Sequence, residues 1–153
     1  MSMTLHRNGL ATVLATVKGT GVGKLADVFK WPRRNMADTT LTWPFATLDK
    51  TEGKPEDYST AGQGGINGVF VLTRIRIFDK YAADETQYAA FTTLVDAVLT
   101  ALRKDSNLRL GQQDQGCTLN KIVGYSIEPV TDNTPQLLVA NIDCLGTYRT
   151  IRP

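Results

Sequence analysis

The sequence predicts an α+β fold: a single domain spanning residues 1–153, with a mainly antiparallel β-sheet, one long amphipathic helix packed on it and a short N-terminal helix. Three observations predict it. Val69, Val71, Thr73, Ile75 and Ile77 alternate with Phe70, Leu72, Arg74, Arg76 and Phe78, the period of two that marks a strand with unlike faces. Tyr88, Phe91, Leu94, Val95, Val98, Leu99 and Leu102 then recur at three- and four-residue steps, one apolar stripe on a helix. Two further alternating runs close the chain, and strands that follow one another through turns favour antiparallel pairing.

Taken in order, Leu5, Leu10, Val13, Leu14 and Val17 place a first helix over residues 3–17, weakened by Gly9 by roughly 1 kcal/mol relative to alanine. This stretch reads as a helix rather than a signal peptide, because it has no clear apolar core or cleavage site. His6, in or before this helix with no acid nearby, is expected at the surface or at the helix cap. Lys18 to Lys24, KGTGVGK, is a glycine-rich turn. It lacks the GK[ST] ending, the preceding strand and the following helix of a phosphate loop. Lys24 to Trp31 reads as a strand ended by Pro32. Arg33 and Arg34 follow in a polar connection, as solvated turn residues or salt-bridge donors.

Thr40 to Leu48 is a second strand, placed at an edge or bent at Pro44, which has no amide donor. Residues 49–67, DKTEGKPEDYSTAGQGGIN, have almost no apolar content and four glycines, and are expected to be a long loop reaching outside the body of the domain. The central strand comes next. Arg74 and Arg76 share a face with Phe70, Leu72 and Phe78, so that face is polar in the middle and apolar at its ends. Asp84 is the expected N-cap of the long helix, with Gln87 at capping-box spacing and Glu85, Arg103 and Lys104 matched to the helix dipole. Leu119 to Val130 and Leu137 to Thr147 are the closing strands. In the last, Leu138, Ala140, Ile142, Cys144 and Gly146 form the apolar face.

The totals suit an ordinary globular chain. At 153 residues it can bury roughly 70% of its unfolded surface. A net charge of +2 is too small to imply a nucleic-acid or membrane partner, and no apolar run approaches the ~20 residues of a membrane span. Cys117 and Cys144 belong to no metal-binding or redox motif and are expected as buried free thiols. A disulfide would require adjacent strands in register. With one histidine and two separated cysteines, no ordinary zinc site can be assembled without carboxylates. There is no GxSxG, HExxH, Walker A or paired-carboxylate signature. The expectation is a protein that is not an enzyme, with no catalytic residue, cofactor or metal.

The order of elements resembles that of the tail terminator, or tail-completion, proteins of long-tailed bacteriophages. The resemblance rests on ATVLATVKGTGVG, KLADVFKW, TWPFATL, a long polar loop, VFVLTRIRIFD, a helix ending in ALRKDSNLRLG, and two closing strands. It implies a structural virion protein at the head–tail interface, assembled in the host cytoplasm as a homo-oligomer, a hexameric ring. The ring would end tube growth. Its partners would be the tail tube protein and the head–tail connector or stopper, and genome DNA would pass through the lumen without specific binding. The family implies no catalytic residues.

A ring needs head-to-tail contacts between two unlike patches. The candidate subunit-interface residues are Arg74 and Arg76 on the sheet face, and Glu52, Glu56, Asp57 and Tyr58 on the loop. The contrasting expectation is a small nucleic-acid-binding domain using Arg33, Arg34, Arg74, Arg76 and Arg149, or another neck or connector adaptor. An enzyme with an unrecognised site ranks last.

Overall fold

The computed structural model describes residues 2–33, 35–57, 66–106, 108, 117–132 and 135–151. The elements are α1 (Ser2–Ala15), β1 (Asp27–Phe29), β2 (Phe45–Asp57), β3 (Ile66–Lys80), α2 (Glu85–Lys104), β4 (Cys117–Val130) and β5 (Leu137–Ile151). The fold is α+β. Its five strands form one mixed sheet in the order β1-β2-β3-β5-β4. From β2 to β4 every pairing is antiparallel, as expected.

The β1–β2 pair is the exception. It is parallel, with Asp27 opposite Phe45 and Phe29 opposite Thr47. A parallel return needs a connection of a dozen or more residues, and the chain between Phe29 and Phe45 supplies it. That connection crosses the sheet face opposite the helices. Leu41 is buried there with Phe45, Phe78, Leu137 and Val139, and Met36 and Trp43 pack against them. This second small core explains why Phe78 is buried although it lies on the same face as the two arginines.

Both helices cover the other face. Helix α1 packs on β1, β2 and β3, while α2 lies beside it over the β4 side. The long helix therefore does not cross the sheet alone, and the N-terminal helix takes the central strands. Leu10, Val13 and Leu14 of α1 meet Phe91, Leu94, Val95, Val98, Leu99 and Leu102 of α2 and the inward row Val71, Ile75 and Ile77 of β3 in one core. Burial of the α2 stripe begins at Phe91, and Tyr88, in the first turn, is exposed. Asp84 caps α2 by accepting the Thr86 amide at 3.0 Å. Gln87 does not close a capping box. Its Oε1 accepts the Ala82 amide instead.

The glycines of the α1–β1 turn have the expected role. Gly21 and Gly23 adopt φ of +100° and +79°, conformations that disfavour any side chain. Gly9 has a use the sequence did not suggest: a Cβ there would sit 3.0 Å from the Leu108 side chain, so its absence lets the α2–β4 connection press onto α1.

Three strands depart from expectation. Of the expected strand over 24–31 only Asp27–Phe29 is formed, and β2 begins at Phe45, after Pro44, rather than at Thr40. The polar stretch 49–67 is not a loop as a whole. Strand β2 continues to Asp57, pairing with β3 as far as Asn67, and only residues 58–65 lie outside the described residues. Backbone pairing carries an extended chain here without any apolar alternation. Past Gly53, which sits against Met3 of α1, the hairpin runs four more pairs, about 13 Å at ~3.3 Å per residue. In β4, a bulge between Ile122 and Gly124 shifts the phase of the strand. Asn120 and Ile122 share the helix-side row before it, and Tyr125 and Ile127 do so after it, so the simple alternation read from the sequence does not hold.

Candidate functional site

The helix-free face of the sheet carries the residues expected at an interface. Arg74 stands opposite Asp143 and grips it with two bonds, Nε to Oδ1 at 2.9 Å and Nη2 to Oδ2 at 3.2 Å. That carboxylate raises the Arg74 pKa above its ordinary value, first through the hydrogen bond and then through charge. Arg76 stands opposite Asn141 and donates Nε to its Oδ1 at 3.0 Å, while Nη1 reaches Asp49 Oδ2 at 3.3 Å. Thr47 fixes Asp49 by donating its hydroxyl to Oδ1 at 2.6 Å. The cross-strand pairs that register dictates thus satisfy both arginines within the chain. Neither requires an acid from a neighbouring copy.

Glu52 lies on the same face and pairs with Lys50. Lys50, Glu52, Leu72, Arg74 and Asp143 surround a hollow of about 230 Å³. It continues into a second hollow of about 640 Å³ floored by Phe70, Leu72 and Leu145. Glu56 and Asp57 belong to the β2 ladder, which places their backbone on the hairpin, but their side chains are not described. Tyr58 lies outside the described residues. The face therefore has the polar middle and apolar flanks expected from its sequence, with one flank closed by the second core and the other open.

Among the arginines of the nucleic-acid hypothesis, Arg33 is held by Asp38 at 3.0 Å and lies 4.7 Å from the centre of the Phe29 ring. With Arg74 and Arg76 also paired, three of the five are neutralised internally. Arg34 lies outside the described residues, as does the side chain of Arg149.

The polar cluster that sequence reasoning missed is centred on His6. It is not a surface or cap residue: it is fully buried between α1 and the sheet. Its Nδ1 is 2.8 Å from Thr73 Oγ1 and its Nε2 is 2.8 Å from Asn120 Oδ1. Because Asn120 Oδ1 can only accept, Nε2 carries the proton and Nδ1 accepts from Thr73. The chain of donors runs back through Thr51, 3.2 Å from Thr73, to Arg7, whose Nη1 donates to Thr51 Oγ1 at 2.7 Å. Every acceptor is used once, and the imidazole is neutral. Burial pushes its pKa down to about 4, with the Asn120 bond opposing. Among the described residues, Asn120 Nδ2 has no nitrogen or oxygen acceptor. Its amide acts on the Cys144 sulfur but does not overcome burial, which pushes that thiol up to about 12. At neutral pH this cluster therefore holds a neutral imidazole and a protonated thiol, so it disfavours a general-acid imidazolium and a nucleophilic thiolate.

Space for His6 comes from Gly146, where a Cβ would lie 2.5 Å from His6 Cδ2 and 3.1 Å from the Tyr148 ring. The imidazole is held at both nitrogens and cannot swing aside. Gly146→Ala is expected to lower stability by about 1–3 kcal/mol through overpacking, read as a shift in the urea midpoint at unchanged slope. An unshifted midpoint would show that the ring has room to move.

The two cysteines are free and buried. Their strands are neighbours, but Cys117 faces Tyr148 and Cys144 faces Ile122, so they are out of register for a disulfide. Among the described residues, no group of three His, Cys, Asp or Glu side chains is placed to hold a metal ion. No helix among them is long and apolar enough to cross a membrane. A groove of about 840 Å³ between the C-terminal halves of α1 and α2 has an apolar floor of Val13, Val17, Ala97 and Ala101 and a rim that includes Lys24 and Lys104. No protein-family model and no curated protein matches this chain.

Proposed function

We propose that this chain is a structural protein that assembles into a ring, as in the tail terminators its sequence layout resembles. In that role six copies would close at the head-proximal end of a bacteriophage tail tube, stop its growth and present a docking face to the head connector. The observation that carries the proposal is the pairing of unlike surfaces on one small body: an extended β2–β3 hairpin of polar sequence towards one end of the sheet, and the β4 strand, with Leu119, Val123 and Tyr125 exposed, at the other. Head-to-tail rings are built from two such different patches. The buried His6 cluster supports a scaffold role, since its polar groups tie α1 to the sheet. The internal pairing of Arg33, Arg74 and Arg76 weighs against the nucleic-acid alternative, because paired guanidiniums release few counterions from phosphate.

Sedimentation velocity and electron micrographs of the purified chain test this. Closed rings of six copies are expected, and addition of such rings to polymerising tail tube protein should halt elongation. A chain that remains monomeric at all concentrations and leaves tube growth unchanged would overturn the proposal.

A further inference from the structure

We propose that the ring closes by strand pairing, with the outer edge of β4 in one copy set against the free edge of β2, from Thr51 to Asp57, in the next. This rests on the ring proposed above and says which surfaces make it. Among the described residues, the sheet ends in two open edges. At one, strand β4 pairs with β5 and with no other described strand. At the other side β1 covers β2 only over Phe45–Thr47. Arg7 then occupies the carbonyls of Leu48 and Asp49, so the free edge begins at Thr51.

The β4 edge is apolar where solvent would favour charge. Leu119, Val123 and Tyr125 are 48%, 50% and 59% exposed on this one strand. They border a concavity of about 560 Å³ that Arg103 and Ser106 complete. A long edge strand with such side chains is a template for another strand. The bulge at Ile122/Gly124 and Pro55 in β2 interrupt that template without removing it, and confine pairing to short runs on either side.

Chain direction favours this partner. Strands β2 and β4 run in opposite senses within the sheet, since three antiparallel steps separate them. Rotation about an axis near the strand direction preserves each sense, so β4 of one copy meets β2 of the next antiparallel. Charge agrees. Residues 51–57, TEGKPED, carry three acids and one lysine. Lys121 and Arg103 border the β4 edge, and neither has an ion-pair partner among the described residues. An antiparallel alignment that sets Lys121 level with Glu56 and Asp57 also brings Glu128 level with Lys50. A two-fold β4–β4 contact would instead leave the β2 edge unused.

Two charge-reversed variants test the contact. One carries Lys121→Glu with Val123→Glu, and the other Glu56→Lys with Asp57→Lys. Each alone should need at least about tenfold more protein for half-assembly, because like charges then oppose each other. A one-to-one mixture should assemble near the wild-type concentration, since acidic β4 meets basic β2 and the native edges meet each other. Circular dichroism and thermal unfolding of each variant check that the subunit is intact. If the wild type forms rings and both variants also do so alone at the wild-type concentration, edge pairing is wrong and the ring stands. If only the β4 variant fails and mixing does not restore it, the β2 edge is not the partner. A wild-type chain that never assembles overturns the ring and this contact together.

Discussion

Phe91→Ala is expected to lower the unfolding free energy by about 3–5 kcal/mol, and Leu102→Ala by about 2–5 kcal/mol. Each side chain is almost wholly buried in the core that α2 shares with α1 and the sheet. Truncation removes apolar area from that core and leaves a cavity that two packed helices and a sheet can fill only in part. The effect is a lower urea midpoint at unchanged slope. Tyr88→Ala, on the same stripe but exposed, is the control and should change stability by about 0.5 kcal/mol or less. Equal losses at positions 88 and 91 would mean that the buried face has been misassigned.

Between about pH 6.5 and 5, acid should weaken the protein through one residue. His6 is the only histidine in the chain. Its native pKa is pushed down to about 4 from the ordinary 6.5, so the unfolded state binds a proton that the native state refuses. The sign follows: the His6 contribution is full above about pH 6.5, falls as the pH drops through the interval between the two values, and levels off below about pH 4. The loss is about 2 kcal/mol by pH 5 and on the order of 3 kcal/mol at the bottom of the window. Geometry explains the refusal. A proton on Nδ1 would face the Thr73 hydroxyl that now donates to it, and would force Thr73 and Thr51 to reverse against the Arg7 donor. The groups packed on the ring from the sheet, Thr73, Asn120 and Tyr148, are uncharged, and the nearest charge in α1 is the cationic Arg7. Urea unfolding at pH 7.5, 6 and 5 measures the slope. His6→Gln should be less stable at pH 7.5 and should lose the dependence between pH 5 and 6.5. A wild-type midpoint flat over that range would show that His6 titrates normally.

Both effects bear on the proposed assembly, because α1 is the element that shapes the β2 edge. Arg7, the residue next to His6, holds the Leu48 and Asp49 carbonyls and reaches the Lys30 carbonyl. Loosening α1 would therefore disturb the strand that the proposed ring contact uses.

What the sequence determined by itself was local and periodic. The span of α2, its Asp84 cap, the inward rows of β3 and β5, the glycine turn after α1 and the free state of the cysteines follow from spacing within one element, and the structure contains them all. The polar middle of the outer sheet face was legible for the same reason, since alternation puts Arg74 and Arg76 on one side. The tertiary structure decided whatever depends on a partner far along the chain. Arg74 and Arg76 are satisfied because register sets Asp143 and Asn141 opposite them. Residues 49–57 are a strand because β3 offers them a ladder, though their composition is that of a loop. The extra residue at the Ile122/Gly124 bulge of β4 reverses which side chains face inward beyond it, and no pattern inside that strand announces it. His6 is buried because a glycine on β5 leaves room and three polar groups from β3, β4 and α1 itself satisfy it or its partners. A lone histidine in a helix carries no trace of that arrangement, because the free energy that holds it there belongs to residues 67 and 114 positions away.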